Sequence, residues 1–575
     1  MANKIIFIVF IFFGLAAMGQ IPKNNLSEDV TVFPEEKVSL TINSNILLAG
    51  EALQYKAFIL DGAAQKSKLS KIVYVSLRNK MDSVVFSHKL KVENGSANGD
   101  FFIPSTLKTG DYRLIGYTNF SRNNTKDSYT HERIFILNSF IKQAPAAKSA
   151  DTVRLNFAPN ELEKPIEKNA ESGFIKITTD KNYYNLREKV KLRLENLSGN
   201  TVDDFVLSVR KVNPIKIPEN GIKEIAPQPL EIFYIPEIRG EIISGVVISK
   251  NDGKPVANKQ VSLTIPGKDF IFKLARSNQN GRFFFSIAEA YEAEKSMVQL
   301  IDEDLKTANY IIVMDEKDFR LDSSESKYLK LDTELKNWLQ ERSVQVQVEN
   351  AYFNIKKDSI LSHDPNPDFF DNLGTVYILD DYTRFPSVRE TFVEVITLAA
   401  IRGSGENARF SVNNTYNPNG IAKFNDIPPL VLMDGLQIQN NEELIDYNPR
   451  EIKSIRVINQ PYRYGPKIYS GIISVLTKSG TFFTAQPNYS TEINLSATER
   501  IKKLYFTDYG NNASLARIPD YRVQLLWQPK LFLKNSQSIG FYTSDVAGTY
   551  QIALEGYNNE GLYISSTAYF TVQTN

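Results

Sequence analysis

Short β-type runs separated by turn residues constrain this chain more than any other feature. From Val38 onward the sequence SLTINSNILLAGEALQYKAFILD sets Leu40 and Ile42 in alternation with polar residues. A turn at Gly50 follows, and then a second run carrying Leu53 and Tyr55. Alternation on both sides of a turn is the hairpin signature, because successive strand side chains point to opposite faces. The pattern continues through KIVYVSLRN, a Gly/Asn-rich turn near Asn94 to Gly99, the run from Gly110 to Phe120, and ERIFILN. It then returns from Lys176, where Thr178, Asn182, Glu188 and Val190 match Thr41, Asn45, Glu51 and Leu53 at one constant offset. A repeated β-sandwich unit is the simplest account of such an offset.

At 575 residues the chain is expected to form several domains, since single cores stop growing near about 250 to 300 residues. Aromatic residues at 11%, with 28 Tyr and 35 Phe, favour strands. The formal charge of +1 supplies no long-range pull toward nucleic acid, and no nucleic-acid partner is expected. Lys4 followed by an apolar run from Ile5 to Leu15, with small residues before Gln20, has the layout of a secretory signal peptide over residues 1–19. That run is shorter than the roughly 20 apolar residues needed to cross a bilayer, and no later segment is long enough. Export without a transmembrane span is expected. The absence of Cys excludes a lipidated cysteine and any disulfide.

Two helical patterns interrupt the strands. Tyr328, Leu331, Leu335 and Trp338 recur at helical spacing, and Val344, Val346 and Val348 then alternate as a strand, so helix followed by strand is predicted for residues 315–365. In PSVRETFVEVITLAAIRG, Ser387 and Glu390 form a capping box ahead of an apolar face built on Val388, Phe392, Val395, Ile396 and Ala399.

The two repeated units resemble macroglobulin-type β-sandwich modules, found in alpha-2-macroglobulins and in many envelope proteins of Bacteroidota. GEIISGVVISKNDGKPVANKQVSLTIPG with SNQNGRFFFSI resembles a carboxypeptidase-regulatory-like module, an immunoglobulin-type sandwich. PLVLMDG from Pro429 to Gly435, NPREIKSIRV, and YGPKIYSGIISVLTKSG resemble the plug domain of TonB-dependent outer-membrane receptors. The matching positions are Asp434, Gly435, Tyr464, Gly465, Gly471, Lys478 and Gly480. The glycine-rich segment of the family is replaced here by PKIYSG, and a TonB box is not evident, so energy coupling is not implied. A receptor barrel takes about 22 strands of about 10 residues. Residues 481–575 are too few for one, and the chain is not expected to be a pore itself.

The resulting expectation is a mostly β, multi-domain chain of several macroglobulin/Ig-like β-sandwich modules and one small α+β plug-like domain. Its parts are a macroglobulin-like sandwich at 20–140, a linker with one strand at 141–172, and a second macroglobulin-like unit at 173–238 that the C-terminal strands could complete. A carboxypeptidase-regulatory-like sandwich follows at 239–314, a connector at 315–365, the plug-like domain at 366–482 and a further β unit at 483–575.

Catalytic patterns are weak. His88, His131 and His363 show no metal-ligand spacing. Ser105 and Lys108 spell S-x-x-K, but Pro104 and Gly110 bracket a turn where that chemistry needs a helix start. The acidic pairs Asp203-Asp204, Asp302 to Asp304 and Asp380-Asp381 read as solvated turn charges. No enzyme activity, cofactor or metal is expected. Tyr462, Arg463 and Tyr464 form the candidate partner contact, since Tyr and Arg are enriched at interfaces, against the plainer reading that they simply pack. The functional expectation is an accessory or scaffold subunit of an outer-membrane transport, secretion or barrel-assembly complex, docked on a barrel protein. A surface adhesin or glycan binder is the rival from another class, and a hydrolase the weaker one.

Overall fold

The computed structural model describes residues 34–574 apart from residue 80 and the segments 125–130, 143–151, 159–173, 200–201, 217–232, 293–294, 302–309, 316–327, 363–364, 414–426, 484–488 and 511–512. The expected signal peptide, His363 and the acidic run Asp302 to Asp304 lie outside the described residues. As the sequence predicts, the chain is mostly β, built as many separate sheets.

In the first sandwich, Glu36–Ile42, Ala52–Asp61 and Ser96–Phe102 form an antiparallel sheet. It faces a five-stranded sheet ordered Ile46–Leu48, His131–Leu137, Gly110–Tyr117, Ile72–Asn79, Val84–Lys91. Alternation delivers Val38, Leu40, Tyr55, Val75, Leu114 and Ile134 to one core. The strand Thr152–Phe157 does not hang free between modules. It is the centre of a three-stranded sheet with Ile215–Lys216 and Tyr328–Leu331, layered on the outside of the first sandwich through Phe135, Leu137, Val153 and Leu155.

Residues 328–351 reverse the order read from the sequence. Tyr328–Leu331 is a strand, and helix α1 runs over Leu335–Ala351 through Val344, Val346 and Val348. β-branched residues cost a helix only a few tenths of a kcal/mol each, and tertiary contact outweighs that. Val346 is 4% exposed and Arg342 8%, both on the side of α1 that meets the first sandwich.

In the second sandwich, Ile175–Thr179 and Lys189–Asn196 pair with Ser536–Tyr542, while Val202–Lys211 lies between Gly548–Tyr557 and Gln524–Leu533. Its core mixes Ile177, Val190, Leu192, Phe205 and Leu207 with Tyr550, Ile552, Leu554 and Phe570. Residues 483–575 are therefore no unit of their own. Their later strands belong to the second sandwich, Lys502–Lys503 pairs with Ser359–Ile360, and Ser490–Asn494 extends a third sandwich by pairing with Lys295–Leu300. Each of these segments satisfies its backbone groups on a sheet that residues far upstream have begun.

The third sandwich sets Arg282–Ile287, Glu241–Ser249 and Tyr310–Met314 against Ile271–Arg276, Gln260–Ile265 and Lys295–Leu300. Beyond it lies an α+β unit whose sheet is ordered Thr375–Ile378, Ile452–Ile458, Ile472–Thr477, Leu430–Met433, Leu436–Gln437. Helices α2 (Val388–Glu394) and α3 (Asn441–Ile445) cover one face, meeting Tyr377, Val431, Ile455 and Val475. The predicted cap is present, with the Ser387 hydroxyl accepting the Glu390 N–H at 3.1 Å.

Buried ion clusters weld the sandwiches. Glu51 accepts Arg342 at 2.6 Å and Arg210 at 3.1 Å. Burial opposes the charge on Glu51, but the two guanidiniums hold its carboxyl below the ordinary range. Lys56, fully buried, donates to the Asp204 carboxylate at 2.5 Å and to the Asp204 and Pro529 carbonyls at 2.6 Å. Lys89 joins the first sandwich to the third through Glu241 at 2.7 Å and the Tyr291 hydroxyl at 2.8 Å. Among the described residues no helix is long and apolar enough to cross a membrane.

Candidate functional site

The α+β unit carries most of the residues singled out by sequence. Asp434 and Gly435 connect Leu430–Met433 to Leu436–Gln437 with φ of 47° and 86°. Two successive positive φ values define the primed two-residue hairpin turn that Asp-Gly favours. Asp434 is fully buried, and its carboxylate accepts the N–H groups of Thr477 and Phe482 at 2.8 Å each together with the Thr477 hydroxyl. All of that acceptor capacity is directed inward, so Asp434 holds the turn to the neighbouring strand and leaves no open ligand position.

The same turn fits into the third sandwich. The Gly435 carbonyl accepts the Thr264 hydroxyl at 3.2 Å, and a Cβ at Gly435 would stand 2.3 Å from the Phe270 ring. Phe270 and Phe272 continue the contact against Leu430, Leu432, Ile472 and Tyr469. Thus one face of the sheet is covered by α2 and α3, and the part of the other face over its inner strands is covered by the third sandwich.

Tyr462 and Tyr464 sit on the hairpin Tyr462–Tyr464/Lys467–Tyr469. Their hydroxyls donate to the carbonyls of Phe369 at 2.7 Å and Phe272 at 2.6 Å. The Tyr464 ring lies 4.3 Å from the Phe369 ring, and burial pushes its phenol well above the ordinary range. Both tyrosines therefore pack within the molecule. Of the expected contact, only Arg463 faces outward.

The motif glycines are structural in the same way. A Cβ at Gly471 would lie 2.2 Å from the Ile458 carbonyl oxygen. Gly465 takes φ of 55° in the hairpin turn, and Gly480 takes φ of 66° against Lys268. Lys478, half-exposed, stands 3.9 Å from Asp380.

One feature of this sheet lacked a sequence signal. Thr375–Ile378 is the terminal strand and, among the described residues, pairs only with Ile452–Ile458. Tyr377 enters the core at 7% exposure, while Val376 and Ile378 are 43% and 47% exposed on the opposite face. Leu373 and Tyr382 flank them, also exposed. Because the run TVYI is apolar at both parities, its pattern implies burial on both faces and gives no indication of an open edge.

The other sequence candidates do not converge. The His88 ring shares a 2.7 Å hydrogen bond with the Tyr55 hydroxyl inside the first sandwich, and His131 begins a strand of that sandwich. The backbone carbonyls of Ser105 and Lys108 serve a turn, accepting Asn138 and Tyr112. Asp204 is engaged by Lys56, and Arg384 holds the exposed Asp380 carboxyl below the usual range. A cleft of about 420 Å³ runs between Ser96 to Asp100, Glu499 to Phe506 and Trp527 to Lys530. Of its carboxylates, Asp100 is bonded to Lys502 at 2.8 Å and Glu93 to Lys530 at 2.7 Å, and Glu499 lies 3.9 Å from His88 Nε2. Among the described residues no group of three or more His, Asp or Glu side chains is placed to hold a metal ion.

No family model and no curated protein matches the chain. Solved structures that overlap it include trypsin-activated alpha-2-macroglobulin from Escherichia coli, at 9% identity and a TM-score of 0.23 over 94% of this chain and 41% of that one. Salmonella alpha-2-macroglobulin reacted with methylamine overlaps at 8% identity and a TM-score of 0.23, over 94% and 40%. The Yersinia pseudotuberculosis adhesin InvE overlaps at 11% identity and a TM-score of 0.12, over 48% and 57%. The chain thus spans less than half the length of the macroglobulin chains it overlaps.

Proposed function

We propose that this chain is a non-catalytic, exported envelope protein that acts as an accessory or scaffold subunit of an outer-membrane complex, docked on a barrel protein through its α+β unit. The macroglobulin-like, carboxypeptidase-regulatory-like and plug-like resemblances of the sequence support this reading. The observation that carries it is the terminal strand Thr375–Ile378. Among the described residues no strand pairs with its outer edge, which runs beside exposed Val376 and Ile378 on a sheet otherwise closed by its helices and by the third sandwich. An open strand edge accepts a partner strand through main-chain hydrogen bonds, with apolar side chains setting the fit. Welded sandwiches behind it suit a rigid support.

The test is affinity capture from detergent-solubilised envelopes of the native host. One barrel protein in stoichiometric amount is the expected result. A monodisperse monomer with no envelope partner counts against the proposal. The adhesin or glycan-binding alternative would need a platform of exposed aromatic rings. Trp527 is 4% exposed and Tyr462 and Tyr464 are half-buried, whereas Tyr183, Phe532 and Phe353, exposed at 63%, 58% and 54%, are the rings that alternative would use.

A further inference from the structure

Three arginines stand in one row across the five-stranded sheet of the first sandwich. Arg78 is directly opposite Arg113, and Arg113 directly opposite Arg133. Tyr112 and Leu114, on either side of Arg113, enter the core. By strand alternation the three guanidiniums share the other face. Facing positions in an antiparallel pair lie about 5 Å apart, and like charges there repel.

The two outer arginines are neutralised. Arg78 donates to Asp82 at 2.9 Å and to the Ser76 hydroxyl at 3.3 Å. Arg133 grips Asp111 as a fork, Nε at 3.0 and 2.9 Å and Nη2 at 2.5 Å. Arg113, between them, is 7% exposed, and its Nη1 and Nη2 have no hydrogen-bond partner. Among the described residues three positive charges of this row thus meet two negative ones, and the surplus falls on a buried guanidinium whose Nη1 and Nη2 have no acceptor. Leaving such a group unsatisfied is more costly than leaving a neutral one so.

We propose that Arg113 is the centre of an oxyanion site, whose occupant is a phosphate-type group gripped by the Arg113 fork between the Arg78 and Arg133 charges. A planar guanidinium presents paired donors at the spacing of two phosphate oxygens. The single surplus charge calls for one anion, and Arg133 and Asp111, partly open to solvent at 24% and 16%, form the approach. The site is on the first sandwich and independent of the docking strand in the α+β unit.

The test is thermal unfolding of the full chain in inorganic phosphate against chloride at equal ionic strength. The wild-type midpoint is expected to rise with phosphate in a saturable way. Arg113→Gln should abolish the response. Arg113→Lys, which keeps the charge and loses the fork, should bind about tenfold more weakly or worse. Arg193→Gln, an exposed arginine on the second sandwich, should respond as wild type does. Sedimentation with phosphatidate-containing vesicles distinguishes the source. Arg113-dependent sedimentation assigns a lipid headgroup, and a response to inorganic phosphate alone assigns the free anion. Should Arg113→Gln fail to fold, calorimetric titration of wild type and Arg113→Lys with phosphate decides in its place. Equal midpoints for wild type in phosphate and chloride, or an undiminished response in Arg113→Gln, overturn the site.

Discussion

Gly435 leaves no room for a side chain because the Phe270 ring occupies the place where its Cβ would be, 2.3 Å away. The two residues belong to different modules, and the turn at Gly435 also needs φ of 86°. Gly435→Ala is expected to destabilise the chain by about 1–3 kcal/mol through strain and overpacking. Phe270→Ala in the same chain should recover the part due to the clash and none of the part due to φ. Urea unfolding of the single and double variants measures both.

Glu51 is bonded to both Arg210 and Arg342. Glu51→Ala leaves two guanidiniums buried without it, and removing one member of a buried ionic cluster costs about 3–5 kcal/mol. Chemical denaturation should show the midpoint falling accordingly. A loss under 1 kcal/mol would mean that water reaches the cluster.

Burial, and then the neighbouring Glu555, raise the Glu132 carboxyl to about 7. The folded chain therefore binds this proton more tightly than the unfolded chain, whose carboxyl titrates near 4.5. The associated stability is fully present below about pH 4.5 and is lost as pH rises to about 7. Glu132→Gln should remove this part of the pH dependence. Melting temperatures of both proteins across pH 4 to 8 give the comparison, and parallel curves would contradict it.

Val376→Lys with Ile378→Lys places charge on the open strand without touching a core, since both side chains are exposed. Stability should change by less than about 0.5 kcal/mol, as for ordinary surface positions. Recovery of the envelope partner in affinity capture should fall strongly. Unchanged recovery would move the docking surface elsewhere.

The mostly β build was legible because alternation and turn chemistry act locally: Leu40, Ile42 and Tyr55 reach their core as their spacing dictates. The Asp434-Gly435 motif was legible as a position, while its role as a joint was not, since that role depends on Phe270 far away in sequence. Tyr462 and Tyr464 illustrate the same limit, because their hydroxyl partners Phe369 and Phe272 lie on other segments. The valines around Val346 misled because an alternating triplet fits a strand, and a sandwich surface nearby favoured the helix. Arg78, Arg113 and Arg133 lie far apart in the chain, and only strand register aligns them.

The second sandwich draws its strands from Ile175–Lys211 and from Gln524–Val572. Ribosomal synthesis therefore delivers half of its hydrophobic interior long before the other half is made. Contacts of such sequence separation form slowly, because a long chain must first be brought round to close them. Until then Val190, Leu192 and Phe205 present unshielded apolar surface, so a holding chaperone, or delayed collapse of this module, becomes part of the molecule's maturation.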